Sequence, residues 1–264
     1  MAEAKEKTVP VSKDWDAQAG SNWRSIVFLL PIYLYAFVVP FIGILWSLIS
    51  LRHFRRNSRG IVRWWGKVPL WLWGVKLEVH GAEKLETPGA KILAFNHVAL
   101  LDLWVLTAVW PPRASALYKI EFHSIPIWGR ALRALDLIAV DRRNRERGIQ
   151  SIRQAAEHVR KREAIVLIAP EGTRSRKGGL QKFKTGPFHL AVASQAPLIP
   201  MVLRGVEQLN PMGKFLIRSG KIRIDFLDPI STEDWKSQTV RAHAQEVRQV
   251  FLEYLEPAPD EARD

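Results

Sequence analysis

The longest apolar stretch of the chain runs from Ile26 to Leu51 (IVFLLPIYLYAFVVPFIGILWSLISL). In it, 21 of 26 residues are Ala, Val, Ile, Leu, Phe, Trp or Tyr, and none is charged. As one helix it would measure about 39 Å, more than the roughly 30 Å hydrocarbon core of a bilayer. A buried core helix is rarely apolar on every face over such a length. A secretory signal has a shorter apolar region followed by a small-x-small cleavage site, and neither fits here. The pattern predicts a membrane-embedded helical element. Pro31, Pro40 and Gly43 interrupt it, so a straight span and a hairpin that dips into one leaflet both fit.

Behind this run, Arg52, Arg55, Arg56, Arg59, Arg63 and Lys67 follow with no acidic residue before Glu78. By the positive-inside rule that flank is cytoplasmic. The stretch from Ile61 to Leu77 interleaves Trp64, Trp65, Trp71 and Trp73 with Arg63, Lys67 and Lys76. That mixture suits an interfacial helix among lipid headgroups, and an ordinary core helix with a basic face is the alternative. The expected membrane contacts are therefore the four tryptophans together with Arg52, Arg55 and Arg56.

Farther on, short apolar runs alternate with helical periodicity. Lys91–Phe95, Leu137–Val140, Ala164–Ala169 and Leu198–Leu203 read as strands, and Ile222–Phe226 as an edge strand. Leu100–Val109, Trp128–Leu135, Arg145–Arg162, Gly186–Ala193 and Glu233–Glu256 read as helices. The alternation predicts an α/β domain with one mixed or parallel sheet flanked by helices. Four parts follow: a polar tail at 1–20, a membrane-associated helical segment at 21–77, a catalytic-sized domain at 78–256 and an acidic tail at 257–264.

Composition narrows the partner. Against 26 Asp+Glu stand 39 Lys+Arg, a net charge of +13, which calls for an anionic partner. Residues 51–76 hold seven basic and no acidic side chains, so the positive charge lies beside the apolar run. Anionic lipid and a phosphate-bearing ligand fit that distribution better than nucleic acid. The chain has no cysteine, which excludes disulfides, thiolate metal sites and a cysteine nucleophile.

Two loops carry chemistry, each just after an apolar run. In Asn96-His97-Val98-Ala99-Leu100-Leu101-Asp102, an imidazole could take a proton from a hydroxyl while a carboxylate fixes its tautomer. Five residues apart on one helix the two side chains would diverge by about 140°. The pair works only if His97 lies on the loop and Asp102 on the helix that follows; alone, the spacing could be chance. In Pro170-Glu171-Gly172-Thr173-Arg174-Ser175, a glycine permits close backbone approach, and a hydroxyl and a guanidinium suit phosphate oxygens. A solvated basic turn is the alternative there. No third ligand closes a metal site around His97 and Asp102, and no cofactor is implied.

Together, NHVALLD and PEGTRS resemble the first and third motifs of the glycerolipid acyltransferases, most closely the 1-acyl-sn-glycerol-3-phosphate acyltransferases. Lys119-Ile120-Glu121, leading to Ala139-Val140-Asp141-Arg142, resembles the second motif, and Ala196–Val202 the fourth. The match covers residues 77–205. One departure is Ala99, where the family usually carries Ser or Thr, a hydroxyl that could cap the next helix. The resemblance implies that His97, oriented by Asp102, deprotonates the 2-hydroxyl of lysophosphatidate for attack on acyl-CoA or acyl carrier protein, giving phosphatidate. Glu171, Gly172, Thr173 and Arg174, helped by Arg142, would hold the acceptor phosphate. A backbone amide near Gly172 or His97 is the natural oxyanion donor. The enzyme would be bound to a membrane of the bacterial inner-membrane type, its catalytic domain on the cytoplasmic side. Another lyso-lipid, such as a lyso-ornithine lipid or lysophospholipid, is the alternative acceptor, and thioester hydrolysis the alternative reaction.

Overall fold

The computed structural model describes residues 19–141, 143–173, 179–211 and 214–255. Its elements begin with three helices: α1 (Trp23–Val27), α2 (Leu29–Ile49) and α3 (Leu51–Trp73). There follow β1 (Val75–His80), β2 (Lys91–Phe95), α4 (Asp102–Ala108), β3 (Ala114–Lys119), α5 (Trp128–Ala134) and β4 (Ile138–Val140). The remainder is α6 (Arg145–Arg162), β5 (Ile165–Ile168), α7 (Gly186–Ser194), β6 (Leu198–Arg204), α8 (Val206–Leu209), β7 (Gly220–Phe226) and α9 (Val240–Leu255).

The apolar run is not one helix. It breaks at Phe28 and again at Ser50, whose extended backbone and side-chain cap on the His53 amide start α3. The chain then doubles back: Trp46 meets Phe54 near the turn, and the Tyr35 hydroxyl donates to the carbonyl of Trp64 farther along. The result is an antiparallel helical hairpin, with Pro40 accommodated inside α2. At 21 residues α2 is about 32 Å long. Only Ile32, Ala36, Gly43 and Ile44 of it are buried, and it is long and apolar enough to cross a membrane.

Seven strands form one sheet in the order β1-β7-β6-β2-β5-β3-β4. All pairings are parallel except β6 with β7, so the sheet is mixed, one of the two arrangements the alternating pattern allows. Neighbouring residues of each strand feed opposite cores. Leu93 and Phe95 point to the face covered by α2–α4, whereas Ile92 and Ala94 join α6, α7 and α9 on the other. Two strands were not legible in the sequence, β1 and β3, and β1 starts at Val75, three residues ahead of the expected domain boundary. Because β1 takes the edge, β7 lies inside the sheet and is not the edge strand its pattern suggested. α9 starts at Val240, seven residues later than the periodicity suggested.

α3 couples the hairpin to the sheet through α4. A side chain at Gly66 would collide with the backbone of Trp104 and Ala108 and with the Thr107 hydroxyl, so the two helices meet nearly backbone to backbone. Around this contact the Trp65 and Trp104 rings lie 4.3 Å apart and Trp73 approaches Trp104 edge-on at 5.8 Å. Trp65 and Trp73 are buried in the protein core and are corrected from membrane contacts to packing residues. Arg55 is corrected as well: it reaches into the domain, 3.1 Å from Asp136 Oδ1 and from the carbonyl of Ala134. Trp64 and Trp71 are exposed on α3, as are Arg52 and Arg56.

Candidate active site

The parallel strands β2 and β5 end side by side, and the two loops singled out in the sequence leave from those ends. β2 is fully buried, so its path is fixed by the core on both faces. Beyond Phe95 the pairing with β6 is continued by a side chain. Asn96 Nδ2 donates to the Leu203 carbonyl at 2.9 Å, and the Leu203 amide donates to Asn96 Oδ1 at 2.8 Å. Asn96 is 1% exposed, and both of its amide-group functions are satisfied by one residue. That clamp pins the backbone immediately before His97.

His97 sits on the loop and Asp102 is the first residue of α4, the arrangement on which the pairing depended. Asp102 Oδ2 lies 2.6 Å from His97 Nδ1. The same oxygen accepts the amides of Val98 at 2.8 Å and Ala99 at 3.0 Å. One carboxylate thus gathers two amides of the preceding loop and orients the imidazole. At position 99 a capping hydroxyl would serve an amide two or three residues on; here the Leu101 amide is served by Asn210 Oδ1 at 3.2 Å, and the Ala99 methyl is packed in the core, 2% exposed. Asp102 has no exposed surface, while the His97 side chain is 29% exposed. Its Nε2 has no hydrogen-bond partner among the described residues. A histidine that donates from Nδ1 to a buried carboxylate keeps a lone pair on Nε2, ready to accept a proton.

Glu171 lies between the two loops. It is 2% exposed, Oε1 accepts the His97 amide at 2.8 Å and Oε2 accepts the Gln181 amide at 2.8 Å. Burial pushes its carboxyl above the usual range, against the pull of those two amides. Through these two bonds it ties the β2 loop to the β5 loop. The natural oxyanion donors are also committed elsewhere: the His97 amide serves Glu171, and the Gly172 amide bonds to the Ala169 carbonyl at 3.0 Å. Gly172 takes a left-handed φ of 75°, as the sharp turn requires, and Thr173 beyond it is exposed. Arg174 and Arg142 lie outside the described residues.

Asn210 also holds the site and carries no motif of its own. Asn210, 2% exposed, accepts the Leu101 amide at 3.2 Å and donates to the Lys214 carbonyl at 2.9 Å, tying the start of α4 to the loop after α8. Asp141, at the end of β4, is gripped by Arg143 through both carboxylate oxygens. The Arg143 side chain and then its amide hold that carboxyl well below the usual carboxylate range. Neither role has a local sequence signal, because each partner comes from another element or from a loop conformation.

A model of the Acyltransferase family matches residues 76–204, the stretch that holds both loops. The 1-acyl-sn-glycerol-3-phosphate acyltransferase of Limnanthes douglasii is 30% identical over 190 residues, covering 72% of this chain and 67% of that protein. The enzyme of the same name from Cocos nucifera is 28% identical over 190 residues, covering 72% and 61%. The alpha form from Homo sapiens is 30% identical over 182 residues, covering 69% and 64%. The match thus spans between three fifths and about two thirds of these relatives' own lengths. The crystal structure titled 1-acyl-sn-glycerophosphate (LPA) acyltransferase, PlsC, from Thermotoga maritima shares the fold. Its TM-score is 0.70 at 23% identity, and the match covers 92% of this chain and 99% of that one. The chain belongs to the 1-acyl-sn-glycerol-3-phosphate acyltransferase family.

Proposed function

We propose that this protein is an O-acyltransferase that moves an acyl chain from an acyl thioester to the 2-hydroxyl of lysophosphatidate, giving phosphatidate. The observation that carries the reading is the 2.6 Å pair of His97 Nδ1 with the buried Asp102, which leaves Nε2 as a base beside a loop of phosphate-binding character. The relatives' name supports the acceptor. His97 Nε2 takes the hydroxyl proton, the oxygen attacks the thioester carbonyl, and Asp102 stabilises the imidazolium that forms. Collapse of the tetrahedral intermediate breaks the C–S bond, and the departing sulfur takes the proton from His97 to leave as a thiol. Transfer is direct, in keeping with a chain that has no cysteine. The acceptor phosphate is assigned to Gly172, Thr173 and Arg174, with Arg142 assisting; Glu171 positions that loop and does not touch the phosphate. The donor is acyl-CoA or acyl carrier protein, both of which bring negative charge to a basic protein.

We read the hairpin as the membrane attachment. Its exposed apolar face, together with Trp64 and Trp71, would lie in the lipid with Arg52 and Arg56 at headgroup level on the cytoplasmic side of a bacterial-type inner membrane. The test is acyl transfer by detergent-solubilised wild type and His97→Ala, with one acyl thioester and a panel of lyso-acceptors. Conversion of lysophosphatidate in preference to other lyso-lipids, lost in the variant, is the expected result. Preference for a lyso-ornithine lipid or lysophospholipid would move the acceptor assignment, and thioester loss without acylated lipid would replace transfer by hydrolysis.

A further inference from the structure

Beyond α3, one large apolar side chain among the described residues stands out by its exposure. Phe215 is 73% exposed, as much as Leu48 and Trp71 on the hairpin at 74% each, while every other such residue after α3 is at most 46% exposed. It lies in the loop between α8 and β7, flanked by exposed Lys214 and Arg218. The stretch 208–224 contains four basic residues and no acidic one. Lys221 pairs with Glu78 and Arg223 with Asp225, but Lys214 and Arg218 have no acidic partner among the described residues.

This loop is fastened to the start of the hairpin unit. The Ile217 amide donates to the hydroxyl of buried Ser25 at 3.0 Å, the Ser219 amide to the Ser21 carbonyl at 3.2 Å, and the Gly20 amide to the Ser219 carbonyl at 2.7 Å. With Ser25 turned inward, α1 presents Trp23, Ile26 and Val27 outward, each more than half exposed. Arg24 lies over the Trp23 ring and beside Gly74 at the end of α3. The apolar outer face of α1 and α2 therefore continues into a loop that carries an aromatic tip and two cations without an acidic partner among the described residues. A side chain of that kind costs free energy in water and gains it at a bilayer surface, where apolar tips sink below the headgroups and lysines and arginines stay among the phosphates.

We propose that the Phe215 loop is a second lipid-contacting element, which inserts Phe215 into an anionic membrane surface while Lys214 and Arg218 bind headgroup phosphates. The inference rests on the membrane reading of the hairpin and adds a contact from the catalytic domain itself. Through Asn210, which bonds both the Lys214 carbonyl and the Leu101 amide, that contact is one side chain away from the helix bearing Asp102.

The chain has no cysteine, so single-cysteine labelling is clean. Phe215→Cys, Leu34→Cys on the outer face of α2 and Gln150→Cys on α6 each receive an environment-sensitive fluorophore. They are then reconstituted into phosphatidylglycerol-containing vesicles and exposed to nitroxide-labelled lipid or to aqueous iodide. The expected result is quenching by lipid and shielding from iodide at positions 34 and 215, with the reverse at 150. Substituting Ser for Lys214 and Arg218 should reduce the lipid quenching at 215 and leave that at 34 unchanged. If 34 is quenched by lipid but 215 behaves like 150, the inference falls and the membrane reading of the hairpin stands. If 34 also answers only to iodide, both fall.

Discussion

Glu171 Oε1 accepts the backbone amide of His97 at 2.8 Å, a contact between residues 74 positions apart that holds the imidazole and the loop after β5 in one frame. A contact of this kind acts on geometry and not on affinity. Glu171→Gln replaces one of two accepting oxygens by a donor and leaves an amide opposed by an amide. Steady-state kinetics should show kcat reduced by about 10- to 100-fold, since small misplacements of a reacting group are costly, while KM for lysophosphatidate stays within about twofold. A raised KM at normal kcat would return Glu171 to the acceptor.

His97 and Asp102 should separate in stability although they act together in catalysis. His97→Ala removes the base and is expected to lower kcat/KM by roughly 10²–10⁴-fold with thermal unfolding unchanged. Asp102→Ala removes the base's orienting partner and also strips two amides of their acceptor. It should therefore lose activity and about 1–3 kcal/mol of stability. Paired melting curves and rates on both variants check this; equal melting temperatures would refute the dual role of Asp102.

Acid should expose the grip of Arg143 on Asp141. With the folded carboxyl held below its unfolded value, the ion pair contributes stability above about pH 3.9, and that contribution fades as pH falls toward the folded value. Asp141→Asn should melt below wild type at neutral pH, with the gap closing on acidification. Glu171 runs the other way. Its raised value means that its contribution is full below the ordinary glutamate range and declines as pH rises through the folded value.

The tryptophans of α3 divide into a buried and an exposed set that two substitutions can tell apart. Trp65→Ala, against the Trp104 ring, should cost about 3–5 kcal/mol in thermal unfolding. Trp71→Ala, at 74% exposure, should change stability by no more than about 0.5 kcal/mol and weaken flotation with vesicles.

Those tryptophans also mark how far the sequence of α3 reveals its two faces. The buried positions of α3 include Val62, Trp65, Gly66, Pro69, Leu70 and Trp73, an interval of three to four that separates inner Trp65 and Trp73 from outer Trp64 and Trp71. The signal was present but masked by the basic residues between them. β2, β5, β6 and α6 were legible because continuous apolar runs and a clean amphipathic stripe have few alternatives. β1 (VKLEVH) escaped because it is an edge strand, half polar and continuous with the tryptophan-rich helix before it. β3 (ASALYK) escaped because small residues give weak contrast. The His97–Asp102 pair was legible from its motif once the loop–helix junction was assumed. Glu171, a carboxylate in a basic loop, reads from the sequence as part of a ligand site, and only the fold reveals the two amides it serves.

The near contact of α3 and α4 at Gly66 has a kinetic meaning. If the hairpin lies in lipid, a joint with no intervening side chain leaves Asp102 and His97 no freedom to swing away from the bilayer, so the base stays at one height above it. The enzyme then meets its acceptor by lateral diffusion, in two dimensions. Turnover should follow the mole fraction of lysophosphatidate in the surface and be insensitive to its bulk concentration once vesicles are in excess.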